Sequence, residues 1–532
     1  MLDKMSPNQR LIVAVLLSVV FFVGYTAIFP PVESEVVEDT KAQITQSSNV
    51  KASSESAVNV EAEAGHVILA SERTSSSDLV RVTNENFILK LDTLGRISSK
   101  ELLEEKFRDK EDNHAQLIPQ TGTKPLYIRF RDENLNKEAS SVAYTTDVTE
   151  VNVDGSAKTV TLTQKLSSLS VTKKITFFKD GHYDVEISLS ADKHYYVYLG
   201  QRPRVNEDEQ MMTVVGAMVY TDDELVTIIA DGDAEGRKSF SGVELISAFD
   251  QYTATIMYGL AKDRNVIVER DRDDNPVVYF DGTQNLKFSG YIGEKNYKIL
   301  ESINPVLTNA IEYGWFTFAA KPLFALLSWL HGIFGNWGWS IIALTAIIRF
   351  VLYPLTYKGM VSMQKMKDLA PKIKDLKEKY KGDPQRLNQA TMDMYKKNGA
   401  NPLGGCLPML MQIPVFFAIY RVLLNAVELQ GAPWILWIDD LSRMDPYYVM
   451  PVLMGASMFL QQRMTPNNFS DPMQEKVMKW LPVIFTFFFV TFPSGLVLYW
   501  FVNNLFSILQ QFIVNQQFKN AKDALKAAKV EK

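Results

Sequence analysis

Arg349 lies near the middle of an otherwise apolar run, Ser340–Tyr357, reading SIIALTAIIRFVLYPLTY. At about 1.5 Å per residue, a helix over these residues crosses most of a bilayer hydrocarbon core of roughly 30 Å. A cation at that depth costs about 2.5 to 17 kcal/mol, depending on how far water and head groups reach it. The chain therefore has to fold around this side chain, turning it toward a protein interior or a wet cavity. Thr345 and Tyr353 stand four residues to either side and share its helix face. This face reads as one wall of a polar groove inside the membrane. The alternative is a structural arginine neutralised by a buried acid, but no Asp or Glu lies near the middle of any other apolar run.

The rest of the sequence divides around this helix. A chain of 532 residues holds more than one domain. Residues 31–310 are polar and strand-like, whereas 311–515 are dominated by apolar runs. The net charge of -5 argues against general nucleic-acid binding. The single cysteine, Cys406, excludes an intramolecular disulfide and any CxxC site. No HExxH, P-loop or GxSxG pattern is present, and Ser494, in PSGL, reads as a turn residue. The expectation is a protein without metal, cofactor or enzymatic activity.

Leu11–Phe29 is a first uncharged apolar run, preceded by Lys4 and Arg10. It reads as a retained anchor over 1–30 with a cytoplasmic N-terminus; a cleaved signal peptide is the alternative. Residues 31–80, rich in Ser, Glu, Val and Ala, read as a flexible linker. Residues 81–310 alternate with period 2 between turn signals: Phe87–Leu91, Thr159–Leu166, Val171–Phe178, Tyr183–Leu189, Val277–Phe280 and Leu286–Tyr291. Asp180-Gly181 and Asp281-Gly282 are hairpin signals, and a large antiparallel β-sandwich follows.

Tyr313–Leu330, with Trp315, Phe316, Leu323, Leu326, Leu327 and Leu330 along one side and an interruption at Lys321-Pro322, reads as an amphipathic helix at the outer interface within 311–335. A second spanning helix is the alternative. Residues 358–402 are rich in Lys, which places them in the cytoplasm, and Gly382-Asp383-Pro384 divides them into a helical hairpin. The hairpin is either a solvated charged element or a docking surface. Spans follow at 403–428, 446–463, 477–492 and 495–514, with a tight outer turn at Thr491–Ser494 and a basic tail over 516–532. The total is six spans with both termini in the cytoplasm.

Helix rise puts Arg349, Gln412, Thr486, Asn503 and Asn504 all about 14 Å from one end of their spans, in the middle third of the core. In the last span Trp500, Asn503, Asn504, Ser507 and Gln511 follow helical spacing as a polar stripe. One such residue is ordinary interhelical glue, whereas several at one depth beside a cation point to a shared hydrated site.

The stretches GNWGWSIIALTAIIRFVLYPLT, KYKGDPQRLNQATMDMYKKNGANPLGGCLPMLMQIPVFFAIY, DPYYVMPVLMGASMFLQQRM and DPMQEKVMKWLPVIFTFFFVTFPSGLVLYW make the region from about 315 to 515 specific. It resembles the YidC/Oxa1/Alb3 family of membrane protein insertases, and the anchor, linker and sandwich fit the longer Gram-negative form. The resemblance implies a six-span inner-membrane protein: an N-terminal anchor, a periplasmic β-sandwich and a five-helix core over 336–515 around a hydrophilic groove open to cytoplasm and lipid. By that resemblance Arg349, Thr345, Gln412 and Trp500 line the groove, and the stripe adds Asn503 and Asn504. Phe416 and Val502 then face lipid as a slide for the substrate. The implied partners are nascent membrane proteins, a Sec translocon of SecYEG and SecDF type, the lipid bilayer and, through the short tail, the ribosome. The competing readings are a transporter or channel using Arg349 as an anion site, and a sugar-binding or sugar-modifying sandwich merely anchored to the membrane.

Overall fold

The computed structural model describes residues 77–108, 113–205, 213–311, 313, 317–400, 407–464 and 472–530. The expected anchor, the linker up to residue 76, Trp315, Phe316 and Cys406 lie outside the described residues.

Strands with inward apolar positions at period 2 build the first half. Across the eight-stranded sheet they run Val226–Ala230, Gly216–Thr221, Val243–Phe249, Thr253–Tyr258, Asn285–Glu294, His182–Leu189, Ser170–Phe177 and Lys158–Lys165, each antiparallel to the next. One five-stranded sheet runs Ala115–Gln116, Ile97–Leu102, Phe87–Asp92, Asp78–Thr83 and Glu150–Asn152, the last pair parallel. The other runs Arg237–Phe240, Val266–Arg270, Pro276–Gly282, Tyr195–Tyr198 and Ile128–Phe130. Val160, Val171, Ile175, Val185 and Ile187 from the large sheet meet Leu89, Leu91, Val197 and Phe280 from the small ones in one buried core. A short helix α1, Glu133–Ala139, is capped by Asp132, which accepts from the Asn134 and Leu135 amides.

The Asp180-Gly181 turn joins Ser170–Phe177 to His182–Leu189 as expected, with Gly181 at φ 87°. Asp281-Gly282 does not make a hairpin. Pro276–Gly282 and Asn285–Glu294 belong to different sheets, so the chain crosses the sandwich there. Gly282 ends its strand against the Tyr195 ring, which a Cβ would meet at 2.6 Å. Close packing, not turn geometry, is what this glycine serves.

After α2, Tyr297–Ile303, the chain is helical: α3 Thr317–Phe334, α4 Trp337–Val351, α5 Tyr353–Lys379, α6 Pro384–Lys397, α7 Leu407–Asn425, α8 Val449–Met464, α9 Pro472–Phe489 and α10 Ser494–Val530. These helices are apolar outside and polar inside. Phe350, Phe487, Leu509 and Phe512 are exposed, whereas Arg349, Asn503, Asn504, Ser507 and Gln511 are buried. Such a surface suits lipid, where the usual reward for hiding apolar area from water is absent. Among the described residues, α3 and Ser494–Asn520 are each long and apolar enough to cross a membrane, and α4 with α5 forms a third such unit bent by 65°. Gln412–Asn425 and Lys479–Phe489 are shorter apolar helices.

Three expectations change here. The apolar run does not form one helix: α4 ends at Val351 and α5 begins at Tyr353. Pro354 has no amide to donate to Phe350 and its ring crowds that carbonyl, so the axis breaks at Leu352. Tyr353 therefore leaves the Arg349 face and lies beside Tyr357, the two rings tilted by 35° with centroids 5.8 Å apart. Conversely α3 continues unbroken through Lys321-Pro322, burying Ala320, Phe324, Leu327 and Leu330 while Leu323 and Leu326 are half-buried. Finally α10 does not stop near residue 515 but runs on to Val530. The Gly382-Asp383-Pro384 break is present, and Asp383 caps α6 by accepting from the Arg386 amide at 3.0 Å.

The sandwich is stitched to the helices at one junction. Gln251 donates to the Leu424 carbonyl at the end of α7 at 2.9 Å. Glu428, just beyond α7, accepts from the Tyr297 amide at the start of α2, also at 2.9 Å. On the sandwich side of this junction, Lys106 pairs with Glu294 at 2.6 Å and with Glu104 at 3.1 Å.

Candidate functional site

The break at Leu352 changes what Arg349 is. It lies in the last turn of α4 rather than in mid-helix, beside carbonyls whose partial negative charge favours a cation. It remains 7% exposed and makes three hydrogen bonds, all to α10. Nε donates to Asn503 Oδ1 at 2.7 Å, and Nη2 donates to the Asn503 carbonyl at 3.1 Å and to Ser507 Oγ at 2.6 Å. Asn503 and Ser507 are one turn apart, so one face of α10 supplies every acceptor. Among the described residues no carboxylate pairs with Arg349. Its charge is solvated by neutral oxygens and is not cancelled.

A narrow cavity opens beside it, lined by Ile348, Arg349, Leu352, Leu355, Thr356, Gln412, Val415, Tyr499 and Asn503, with room for about one water. Side chains of α7 and α10 and the abutting ends of α4 and α5 thus meet around a cation.

The expected site residues separate. Arg349, Gln412 and Asn503 share the cavity. Thr345 is fully buried one turn earlier on α4, and its hydroxyl donates to the Ile341 carbonyl at 2.7 Å. Asn504 points elsewhere, donating to Ser457 Oγ on α8 at 3.0 Å. Trp500 does not line the cavity but joins an aromatic cluster, 4.6 Å from Phe416 edge-on and 5.1 Å from Phe489. Its neighbour Tyr499 lines the cavity instead. Val502 is buried at 7%, so it is no lipid-facing slide, and Phe416 is half-buried within the aromatic cluster. The outward apolar positions include Ile413 on α7 and Leu505, Leu509, Phe512 and Ile513 on α10. Thr486 meets α8 at Gly455, where a Cβ would lie 1.8 Å from its hydroxyl.

Sequence reasoning passes over two polar cavity residues, Tyr499 and Thr356, and over the part Ser507 plays. For Ser507 the signal is its spacing of four from Asn503. A second buried arginine, Arg421 on α7, is also passed over.

A family model described as "60Kd inner membrane protein" matches residues 329–522, and one described as "YidC periplasmic domain" matches 79–326. A protein of Wolinella succinogenes named "Membrane protein insertase YidC" is 46% identical over 99% of this chain and 98% of its own length. The protein of the same name in Campylobacter jejuni subsp. jejuni is 46% identical over 96% of both chains. The solved structure "Active YidC insertase crystal structure with the first transmembrane domain resolved" aligns with 82% of this chain and 94% of that one, at 19% identity and a TM-score of 0.36. That likeness is too slight to transfer structural detail.

Proposed function

Because the chain belongs to the YidC/Oxa1/Alb3 family of membrane protein insertases, in its long bacterial form, we propose that it inserts and folds nascent inner-membrane proteins by way of the cavity beside Arg349. It does so by lowering a solvation barrier and catalyses no covalent step. The observation that carries this mechanism is a buried guanidinium whose partners among the described residues are all neutral, which leaves its charge available to a visiting carboxylate.

The α5–α6 hairpin receives the nascent chain in the cytoplasm. The polar flank of the hydrophobic segment enters beside Arg349, where a fixed charge and hydrogen-bonding groups replace part of its water. The segment itself leaves along the outward apolar positions of α7 and α10. Burial in lipid, at about 25 cal/mol per Å2, drives the release.

In this reading the sandwich is periplasmic, and the hairpin and both termini are cytoplasmic. The anchor occupies 1–30, the linker 31–80, the sandwich 81–310, the interfacial helix 311–335, the core 336–515 and the tail 516–532. A Sec translocon is the membrane partner, and the basic end of α10 is the surface offered to a ribosome. A transporter using Arg349 as an anion site fits none of the relatives named above.

The test is insertion of one single-span substrate carrying Asp, Asn or Lys in its outer tail. Cells are depleted of the wild-type protein and supplied with the wild type, Arg349→Lys or Arg349→Ala. Arg349→Ala is expected to impair the Asp-tailed substrate most, and Arg349→Lys to keep much of the activity because the charge survives. Equal loss across the three tails would overturn charge attraction and leave hydration or packing as the residue's role.

A further inference from the structure

We propose that Asn503 is a built-in competitor for the Arg349 guanidinium, and that it sets how strongly the groove selects acidic flanks. The inference rests on the reading of Arg349 as the site where such flanks are held. A guanidinium presents two edges that a carboxylate takes with two parallel hydrogen bonds. The edge formed by Nε and Nη2 is already taken by a pair of oxygens from one residue. Asn503 Oδ1 accepts from Nε at 2.7 Å, and the Asn503 carbonyl accepts from Nη2 at 3.1 Å. Ser507 Oγ takes the second hydrogen of Nη2 at 2.6 Å. Asn503 therefore occupies the edge as a carboxylate would, but without the charge.

Five N–H donors are available on arginine. Three are used, and Nη1 has no partner among the described residues. An entering carboxylate has two choices. It takes a single-sided contact at Nη1, or it displaces Asn503 and gains the full fork. In the second case the Asn503 amide must find water or Gln412, which lines the same cavity. The competitor raises the threshold. A flank bearing a true anion wins, because it adds charge–charge attraction to the two parallel hydrogen bonds, whereas Asn503 offers the guanidinium only neutral oxygens. A neutral polar flank does not. The same arrangement keeps the buried cation hydrogen-bonded between substrates, which avoids the penalty of an unmade bond. Asn503 is a positioning residue: it acts through Arg349 and need not touch the substrate.

The experiment compares insertion of the Asp-tailed and Asn-tailed substrate in cells producing full-length Asn503→Asp or Asn503→Ser, each quantified for its amount in the membrane. Asn503→Asp keeps the shape but makes the competitor an anion, so the Asp-to-Asn insertion ratio should fall about threefold to tenfold, the range one net hydrogen bond covers. Asn503→Ser withdraws the side-chain acceptor from Nε, so the ratio should rise by a similar factor. Opposite shifts from two substitutions at one position are not what loss of packing produces. If Asn503→Asp fails to accumulate, the direction of the Asn503→Ser ratio decides alone. A ratio that does not move in Asn503→Ser, or moves downward in both variants, overturns the proposal. If Arg349→Ala itself leaves the wild-type ratio unchanged, it is the underlying reading of Arg349 that fails, whatever Asn503 does.

Discussion

At the scale of single residues, buried cations recur in both halves of the molecule. Lys173 stands at an inward position of Ser170–Phe177, fully buried, and donates to the carbonyls of Gly95 at 2.9 Å and Leu126 at 2.8 Å. Lys100 is held by the Gly181 and Ile292 carbonyls. Burial pushes each ammonium down to about 7, from 10.5. The unfolded chain therefore keeps protons between pH 7 and about 10 that the folded sandwich has shed, and stability rises with pH across that window. Below pH 7 both states are protonated and the dependence disappears. Lys173→Met should remove about half of the rise between pH 7 and 9, and a double variant with Lys100→Met the rest. Thermal unfolding followed by the β-sheet circular dichroism signal measures it. An unchanged slope in both variants would mean that water reaches these lysines in the folded protein. Lys173 is marked in sequence, since period 2 puts it on the face of Val171 and Ile175, but Lys100 is not, because a register shift opposite Lys90 and Leu91 turns it inward.

Among elements, the junction between sandwich and helices carries a titratable group of its own. Glu428 is pushed up to about 7, first by burial, against hydrogen bonds from the Tyr297 amide and its own amide that hold it down; nearby Glu294 pushes the same way as burial. The docked form then keeps a proton that the open form loses above about 4.5. The junction is firmest below that pH and loosens as pH climbs through 7. Glu428→Gln preserves the acceptor for Tyr297 and removes the titration. It should resist protease cutting around residues 426–433 better than wild type at pH 8 and equally at pH 5. Equal cutting at both would show that the carboxyl stays charged in place. How far elements can be read from sequence varies with what determines them. The strands around Asp180-Gly181 are legible because turn and alternation agree. Asp281-Gly282 misleads because the same dipeptide serves a crossing between sheets, where Tyr195 needs the space. The apolar run around Arg349 misleads in the other direction. Its composition signals one helix, while Pro354 alone makes it two, and that break gives the arginine a helix end.

For the whole molecule, the division into a strand-built half and a helical half with an apolar exterior is legible in the segregation of residues 31–310 from 311–515. The partition of the polar stripe is not. Asn503 and Asn504 are adjacent in sequence yet serve different helices, and Tyr499, not the expected Trp500, lines the cavity. Such assignments depend on helix rotation, which neighbours set. The proposed topology has a direct test. With Cys406 replaced by Ser, a cysteine at Lys377 in the hairpin should resist a membrane-impermeant thiol reagent added outside intact cells and react once the membrane is opened. Labelling in intact cells would invert the arrangement of every helix after α3.

The break at Leu352 has a mechanical side. α5 extends 27 residues, about 40 Å, from that single point, and α6 folds back along it. It is a lever arm whose fulcrum forms part of the cavity wall, since Leu352 and Leu355 both line the space beside Arg349. A swing of about 10° carries the far tip through roughly 7 Å while displacing the fulcrum hardly at all. A load taken up at the tip would thus be geared down to a fine adjustment beside the arginine, and an occupant of the cavity geared up into a large displacement at the tip of the hairpin.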